Sequence, residues 1–246
     1  MIKPQIIIEG NFSPKDIIAS VTQEKFNLPK NIRNEIDDIW NKKIYEAKNN
    51  KLNLYNGNTY RLKSVKQQES NIVFEFQVMK FKDRFGLREI HRRYGISKEL
   101  HRKGCFVSAT VKTLDKKFVM VRLSGKSMNM NSIEVLGGIM EDNIQMSNTY
   151  IFDVLYLEIE EEIGVTKEEI KSMSLRAIFQ GGYTNVGFYF EVDLNLSSTE
   201  ILQRFKENRD YDIAGIEIFN YKEYLNILKN HNLNKQLIYK LVKKHH

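Results

Sequence analysis

The sequence predicts an α/β/α sandwich around a mixed sheet, preceded by a smaller α+β segment. Three observations carry this. From Gly104 onward, runs that read as strands lead into one strongly amphipathic helix, then further strands, then closing helices. Residues 1–100 instead mix helices and strands around their own apolar positions. No internal repeat or low-complexity linker divides the 246 residues, a length ample for a sizeable core. The working division is 1–100 for the α+β segment, which could also extend the same sheet, and 101–246 for the main domain.

The elements follow in order. Residues 5–9 read as a short buried strand, and Ser13-Pro14 as a helix start with Ser13 as N-cap. Ile32, Ile36, Ile39, Trp40 and Ile44 recur at helical spacing, giving a helix over Asn31–Ala47. A turn at Leu54–Asn58 leads into a strand over Thr59–Gln67, and Phe74, Phe76 and Val78 share one face of a strand over Ile72–Phe81. Gly86–Arg93 reads as a short helix. Cys105–Lys112 and Lys117–Leu123 form a hairpin about Leu114-Asp115-Lys116, and Ser132–Ile139 is a third strand carrying Gly137-Gly138 near its end.

Ile151, Phe152, Leu155, Ile159 and Ile163 then build one apolar stripe, ended by Gly164, which can adopt positive φ. Thr166 and Glu169 make a capping box for a short helix. Leu175–Phe179 and Gly187–Val192 are strands joined by Gly181-Gly182-Tyr183-Thr184-Asn185, which either lines a sugar or phosphate site or, as the preferred reading, is a plain hairpin turn, because no strand-to-helix context marks a phosphate-binding loop. Ile213–Phe219 is the last strand, followed by helices over Tyr221–Leu228 and Leu233–Val242.

Composition bounds the function classes. No apolar run approaches a membrane span, and the N-terminal stretch does not read as a signal peptide. One cysteine, Cys105, excludes an internal disulfide and suits a reducing cytoplasm; it reads as a small apolar residue at a strand start rather than a reactive thiol. A net charge of +7 would attract phosphorylated ligands or nucleic acid, yet no nucleic-acid module is recognisable. The basic excess is local, between Lys80 and Lys103 and at the C-terminus. Arg61, Arg88, His91, Arg92 and Arg93 read as surface or strand-edge charges ahead of phosphate ligands, and Trp40 and Tyr60 as core.

The chemistry gathers on the amphipathic helix. Glu158, Glu161 and Glu162 stand at i, i+3 and i+4, so their carboxylates share one side of it. Three like charges in a last turn repel and oppose the helix dipole. Such a cluster is either a solvated acidic face or a set of oxygen ligands for a hard divalent cation, which takes carboxylates, waters and substrate phosphates. The Gly-Gly turn of Gly137-Gly138-Ile139-Met140-Glu141 precedes it.

Together these residues resemble the Nudix hydrolases. Glu158-Ile159-Glu160-Glu161-Glu162-Ile163-Gly164-Val165 matches the second half of that family's signature, Glu-(aliphatic)-x-Glu-Glu-x-Gly-(aliphatic), position by position. Two positions depart: Leu157 stands where the signature has Arg, and Gly138 lies about five residues too far upstream, leaving Thr149 where an isolated Glu belongs. Both departures are similar to a subgroup, the UDP-sugar pyrophosphatases with a noncanonical box. Asp38-Ile39-Trp40, Leu54-Tyr55-Asn56-Gly57 and Tyr60-Arg61-Leu62 resemble that subgroup's region ahead of the box.

The resemblance implies a Nudix fold and a metal-dependent hydrolase that splits a nucleoside diphosphate linked to another group, with a UDP-sugar giving UMP and a sugar 1-phosphate. It implies magnesium, or manganese, held by Glu158, Glu161 and Glu162 with the Gly138 carbonyl; Glu141 matches a glutamate of the subgroup's turn, either beside or on the metal or a solvated turn residue. Leu157 removes an Arg that would pair with Glu161, so a catalytically silent domain that binds a nucleotide or nucleic acid is the alternative. Glu191, Asp210, Asp212 and Glu217 are candidate general bases by position.

Overall fold

The computed structural model describes residues 3–49, 54–124, 132–207, 213–230 and 233–245. The chain runs β1 (Gln5–Phe12), a 3-10 turn at Pro14–Asp16, β2 (Ile17–Val21), α1 (Lys30–Asn49), β3 (Asn58–Gln68), β4 (Asn71–Lys80) and α2 (Phe81–Tyr94). It continues through β5 (Cys105–Lys112), β6 (Phe118–Leu123), β7 (Ile133–Glu134), α3 (Tyr150–Ile163), β8 (Ile170–Gln180) and β9 (Val186–Leu194). It ends with α4 (Ser198–Glu207), β10 (Ile213–Phe219), α5 (Tyr221–Lys229) and α6 (Leu233–His245).

The larger sheet has the order β1-β8-β9-β5-β6-β10, with β7 on β6. It is mixed: β5 and β9 pair in parallel, the other ladders antiparallel. Alternation along the strands divides its side chains between two faces. Val107, Ala109, Val111, Phe188, Phe190 and Val192 meet the α3 stripe, with Phe152 edge-on to Phe190 at 5.1 Å between centroids. Phe118, Met120, Phe179 and Tyr189 meet α5 and α6 through Tyr224, Leu228, Ile238 and Leu241. Each such buried ring or branched chain contributes about 1.5–3 kcal/mol. On this second face Tyr189 donates to Thr110 Oγ1 at 2.8 Å, and Tyr224 shares that hydroxyl at 2.7 Å, so the buried phenols are satisfied. The α/β/α sandwich read from the sequence is the observed architecture.

A second, three-stranded sheet, β2-β4-β3, lies on the α3 side. Phe74 of β4 packs edge-on against Phe188 at 5.4 Å, and Tyr60 of β3 against Tyr150 of α3 at 5.3 Å. Helices α1 and α2 close over it around Ile36, Trp40, Phe85 and Leu87. Trp40 and Tyr60 are core, as read.

Several elements differ from the sequence reading: β2 and α4 had no counterpart in it, and the short helix read after Thr166 is a 3-10 turn at Lys167–Glu169. The strand expected to be buried over 5–9 is an edge strand paired only with β8, and Ile6 and Ile7 are 40% and 38% exposed. The helix expected at Ser13-Pro14 is a single 3-10 turn, though Ser13 and Asp16 form its capping box. Residues 132–139 yield only the two-residue β7 and isolated bridges from Leu136 to Ala109 and from Ile139 to Phe106, because Gly137 at φ +133 interrupts the ladder. Helix α2, read as Gly86–Arg93, begins five residues earlier, at Phe81.

Candidate functional site

Two backbone stretches set the site. The first is α3, whose end is fixed by Gly164 at φ +70, its N–H bonded to the Glu160 carbonyl at 2.9 Å. The second is the segment Gly137–Asp142, held from both sides. Val107 N donates to the Gly138 carbonyl at 2.9 Å and Met140 N to the Cys105 carbonyl at 3.2 Å, which tie it to β5. Tyr60 N donates to the Met140 carbonyl at 2.9 Å and Asn58 Nδ2 to Asp142 at 2.9 Å, which tie it to β3. Strand β3, from the N-terminal segment, is therefore part of the scaffold of the site.

The two glycines are required for different reasons. A Cβ on Gly137 would fall 2.3 Å from the Val107 carbonyl oxygen, so the backbone of the turn is pressed against β5. A Cβ on Gly138 would fall 1.9 Å from Glu158 Oε1, so that carboxylate lies on the glycine's α-carbon. Gly137 N in turn donates to Glu162 Oε2 at 3.0 Å. Turn and helix thus interlock through two of the three glutamates.

The glutamates differ in environment. Glu162 is buried, Glu158 half-buried and Glu161 exposed. Glu158, Glu161 and Glu141 line one cleft of about 310 Å³ with Gly138, Asn143 and Leu157. Glu162 lines a neighbouring cleft of about 350 Å³, and both clefts share Gly138 and Ile139. Burial raises the Glu141 carboxyl above its ordinary value, Asp142 and Glu161 add to this, and Arg84 opposes it. Leu157 is 38% exposed and gives the smaller cleft an apolar side. Among the described residues, no three carboxylate, imidazole or thiol side chains converge closely enough to enclose a metal ion. The Gly138 carbonyl accepts the Val107 amide with one lone pair and keeps the other.

The described candidates for a general base stand elsewhere. Glu191 faces the α6 side, beside Arg176 at 3.3 Å and His245 at 3.1 Å, and Glu217 pairs with Arg122 at 2.7 Å. Strand alternation puts both on the sheet face opposite α3. Asp210 and Asp212 lie outside the described residues.

The larger cleft contains residues that the sequence reading had not picked out. Arg84, Arg102 and Ser108 line it, together with Arg88 and Asn185. The local basic excess between Lys80 and Lys103 was the only signal for the arginines, and Ser108 had none. Gly181–Asn185 is the tight hairpin turn expected, with Gly181 N bonded to the Asn185 carbonyl at 2.8 Å, yet it also brings Asn185 to the cleft. Arg61 is buried and fully engaged, its guanidinium bonded to Gln77 and to the His101 and Arg102 carbonyls. Cys105 is fully buried, and burial pushes its thiol up to about 12 despite Arg84 and Arg61 nearby. It packs as a small apolar residue.

No family model matches the sequence, and no curated protein matches it. Some solved structures are similar over part of the chain. A NUDIX hydrolase from Nitrosomonas europaea is 17% identical, covering 58% of this chain and 88% of its own, with a TM-score of 0.41. The NUDIX domain of Shewanella oneidensis NrtR, complexed with ADP ribose, is 10% identical over 64% and 96%, with a TM-score of 0.45. An Ap4A hydrolase from C. elegans is 11% identical over 57% and 94%, with a TM-score of 0.39. No described helix is long and apolar enough to cross a membrane.

Proposed function

We propose that the chain is a metal-dependent pyrophosphohydrolase of the Nudix type, acting on a nucleoside diphosphate linked to another group. The observation that carries this reading is the interlock of Gly137-Gly138 with Glu158 and Glu162, because the glycine turn and the glutamate helix meet in space as well as in sequence. The donor chemistry suits a hard cation, although among the described residues the side chains as they stand do not converge to enclose one. Glu158, Glu161 and Glu162, with the free lone pair of the Gly138 carbonyl, offer only oxygen, which suits magnesium or manganese. When bound, such an ion supplies charge neutralisation at the phosphates and a more acidic attacking water.

The chain's own residues do the rest. Gly138, lacking a side chain, lets the Glu158 carboxylate seat against the turn, and the Gly137 amide holds Glu162 in one orientation. Glu141, with its carboxyl raised by burial, stands in the smaller cleft as a group able to hold a proton nearer neutrality than a solvated glutamate. Within this class a UDP-sugar, cleaved to UMP and a sugar 1-phosphate, is the substrate we infer from the subgroup resemblance. The single thiol is compatible with a cytoplasmic protein.

The test is UMP release from a panel of UDP-sugars, ADP-sugars and nucleoside triphosphates, with magnesium and with chelator. Magnesium-dependent turnover that Glu161→Gln lowers by roughly 10²-fold or more supports the reading. Turnover on other nucleotides alone retains the hydrolase and removes the UDP-sugar. No turnover on any of them rejects the enzyme and favours the silent nucleotide-binding domain, for which Leu157 beside Glu161 is the specific observation.

A further inference from the structure

The larger cleft carries three guanidinium groups for which the protein supplies little counter-charge. Arg84 and Arg88 come from α2, and Arg102 from the segment leading into β5. Arg84 and Arg102 are 6% and 7% exposed. Arg84 rests against Gly104, where a Cβ would fall 2.9 Å from Nη1, and donates Nη1 to the Cys105 carbonyl at 2.7 Å. Arg102 donates Nε to the Tyr183 carbonyl at 2.8 Å. Among the described residues neither has a carboxylate in contact, whereas Arg88 pairs with Glu89 at 3.1 Å and lies over the Phe85 ring. Each of the two buried groups thus keeps N–H donors beyond its one carbonyl bond.

Burying cations without an opposite charge is costly, and here the cations also repel one another. Burial lowers Arg84 to about 10, Arg88 adding to this while Cys105 and Glu141 oppose it, and burial with Arg84 and Arg88 holds Arg102 well below its usual value against Glu89 and Tyr183. The acids on the cleft's walls are already engaged: Glu134 with Lys235 at 2.9 Å, and Glu162 with the Gly137 amide. A fourth polar group completes the arrangement. Ser108 is 4% exposed, lines the same cleft, and its Oγ has no hydrogen-bond partner.

We propose that this cleft is a phosphoryl-binding site, in which Arg84, Arg88 and Arg102, with the Ser108 hydroxyl, hold a phosphate group of a small molecule. One bidentate arginine satisfies a carboxylate, whereas guanidiniums from α2 and from the β5 approach match an oxyanion with three oxygens and up to two charges. At about 350 Å³ the cleft is larger than one phosphate, so the group belongs to a bigger molecule. Because the cleft meets the glutamate cleft at Gly138 and Ile139, a substrate of the proposed hydrolase could span both; that identification rests on the proposed function, but the binding does not.

The experiment is calorimetric titration of inorganic phosphate and pyrophosphate into the full chain with chelator present, so that no metal contributes. Saturable binding is expected, weakened at least tenfold by Arg88→Met and partly restored by Arg88→Lys. Arg88 is the informative position because its side chain is one-third exposed, so the buried pair stays intact. Ser108→Ala is expected to weaken binding several-fold, and Arg93→Met, an exposed arginine of α2 outside the cleft, to leave it unchanged. No saturable binding by the unaltered chain, equal binding by Arg88→Met, or an equal loss in Arg93→Met would each overturn the site. Glu161→Gln separates the two proposals: it is expected to lose hydrolysis and keep phosphate binding. Binding without hydrolysis in the unaltered chain would reject the enzyme and leave this site standing.

Discussion

The carboxylate of Glu158 lies against the α-carbon of Gly138, so closely that a methyl group there would overlap it at 1.9 Å from Oε1. The contact joins the turn after β7 to the third turn of α3, and nothing larger than hydrogen fits between them. What would be displaced is the end of a flexible side chain, not backbone. Gly138→Ala is therefore expected to fold with nearly unchanged stability while turnover falls roughly 10²-fold, since misplacing a ligand by an ångström costs about that. A melting temperature and a kcat on the same preparation separate the two effects. A variant with full activity would detach Glu158 from the chemistry.

Its neighbour behaves oppositely. Gly137 sits at φ +133, and its added Cβ would meet the Val107 carbonyl at 2.3 Å and Ser108 Cα at 2.8 Å, both backbone atoms of the central strand β5. Neither obstacle can rotate away. Gly137→Ala is expected to lower stability by at least about 2 kcal/mol, from backbone strain and a displaced turn. Urea titration reads this directly, and a midpoint equal to that of Gly138→Ala would refute the distinction between the two glycines.

Much of this was legible because local pattern and tertiary role coincide. The stripe of Ile151, Phe152, Leu155, Ile159 and Ile163 announced α3 and its buried face, and Gly164 its end. The hairpin of β5 and β6 was fixed by alternation and Leu114-Asp115-Lys116. Where the pattern failed, a non-local fact decided. Ile6-Ile7-Ile8 looked like a core strand, but β1 pairs on one edge only, and an apolar run does not say how many neighbours it will have. Helix α4 was missed because its buried contribution is only Ile201 and Phe205, one turn apart.

The site divides in the same way. Glu158, Glu161 and Glu162 were visible because one helix carries them. The arginine wall was not, because it forms only when α2 crosses the start of β5, more than fifteen residues further on. Among the base candidates, Glu191 and Glu217 were placed by sequence order, which is blind to which sheet face a residue takes.

The thiol offers a clean probe of global unfolding. Cys105 is fully packed into the core on β5, with none of its surface reaching solvent, and burial pushes its pKa up to about 12. A thiol reagent at neutral pH is expected to leave the folded chain untouched for hours and to titrate one thiol in denaturant. Rapid labelling of the native protein would mean that β5 opens locally.

Asp83 makes the last prediction, on pH. It stands in the first turn of α2, 6% exposed, with Oδ1 lacking a hydrogen-bond partner. Burial raises its carboxyl above the ordinary 3.8, Asp37 adds to the shift, and Arg33, Lys82 and Lys80 oppose it without cancelling it. A carboxyl whose folded value exceeds its unfolded one binds its proton more tightly in the native state. Its contribution is thus fully present below about pH 4 and is lost as pH rises through the raised value. Asp83→Asn keeps the shape and removes the titration. The stability of that variant relative to the unaltered chain is therefore expected to grow between pH 4 and pH 7, read as the difference between urea midpoints. A difference that stays flat across that range would show that Lys82 and Arg33 hold the carboxylate charged in the fold as comfortably as water does.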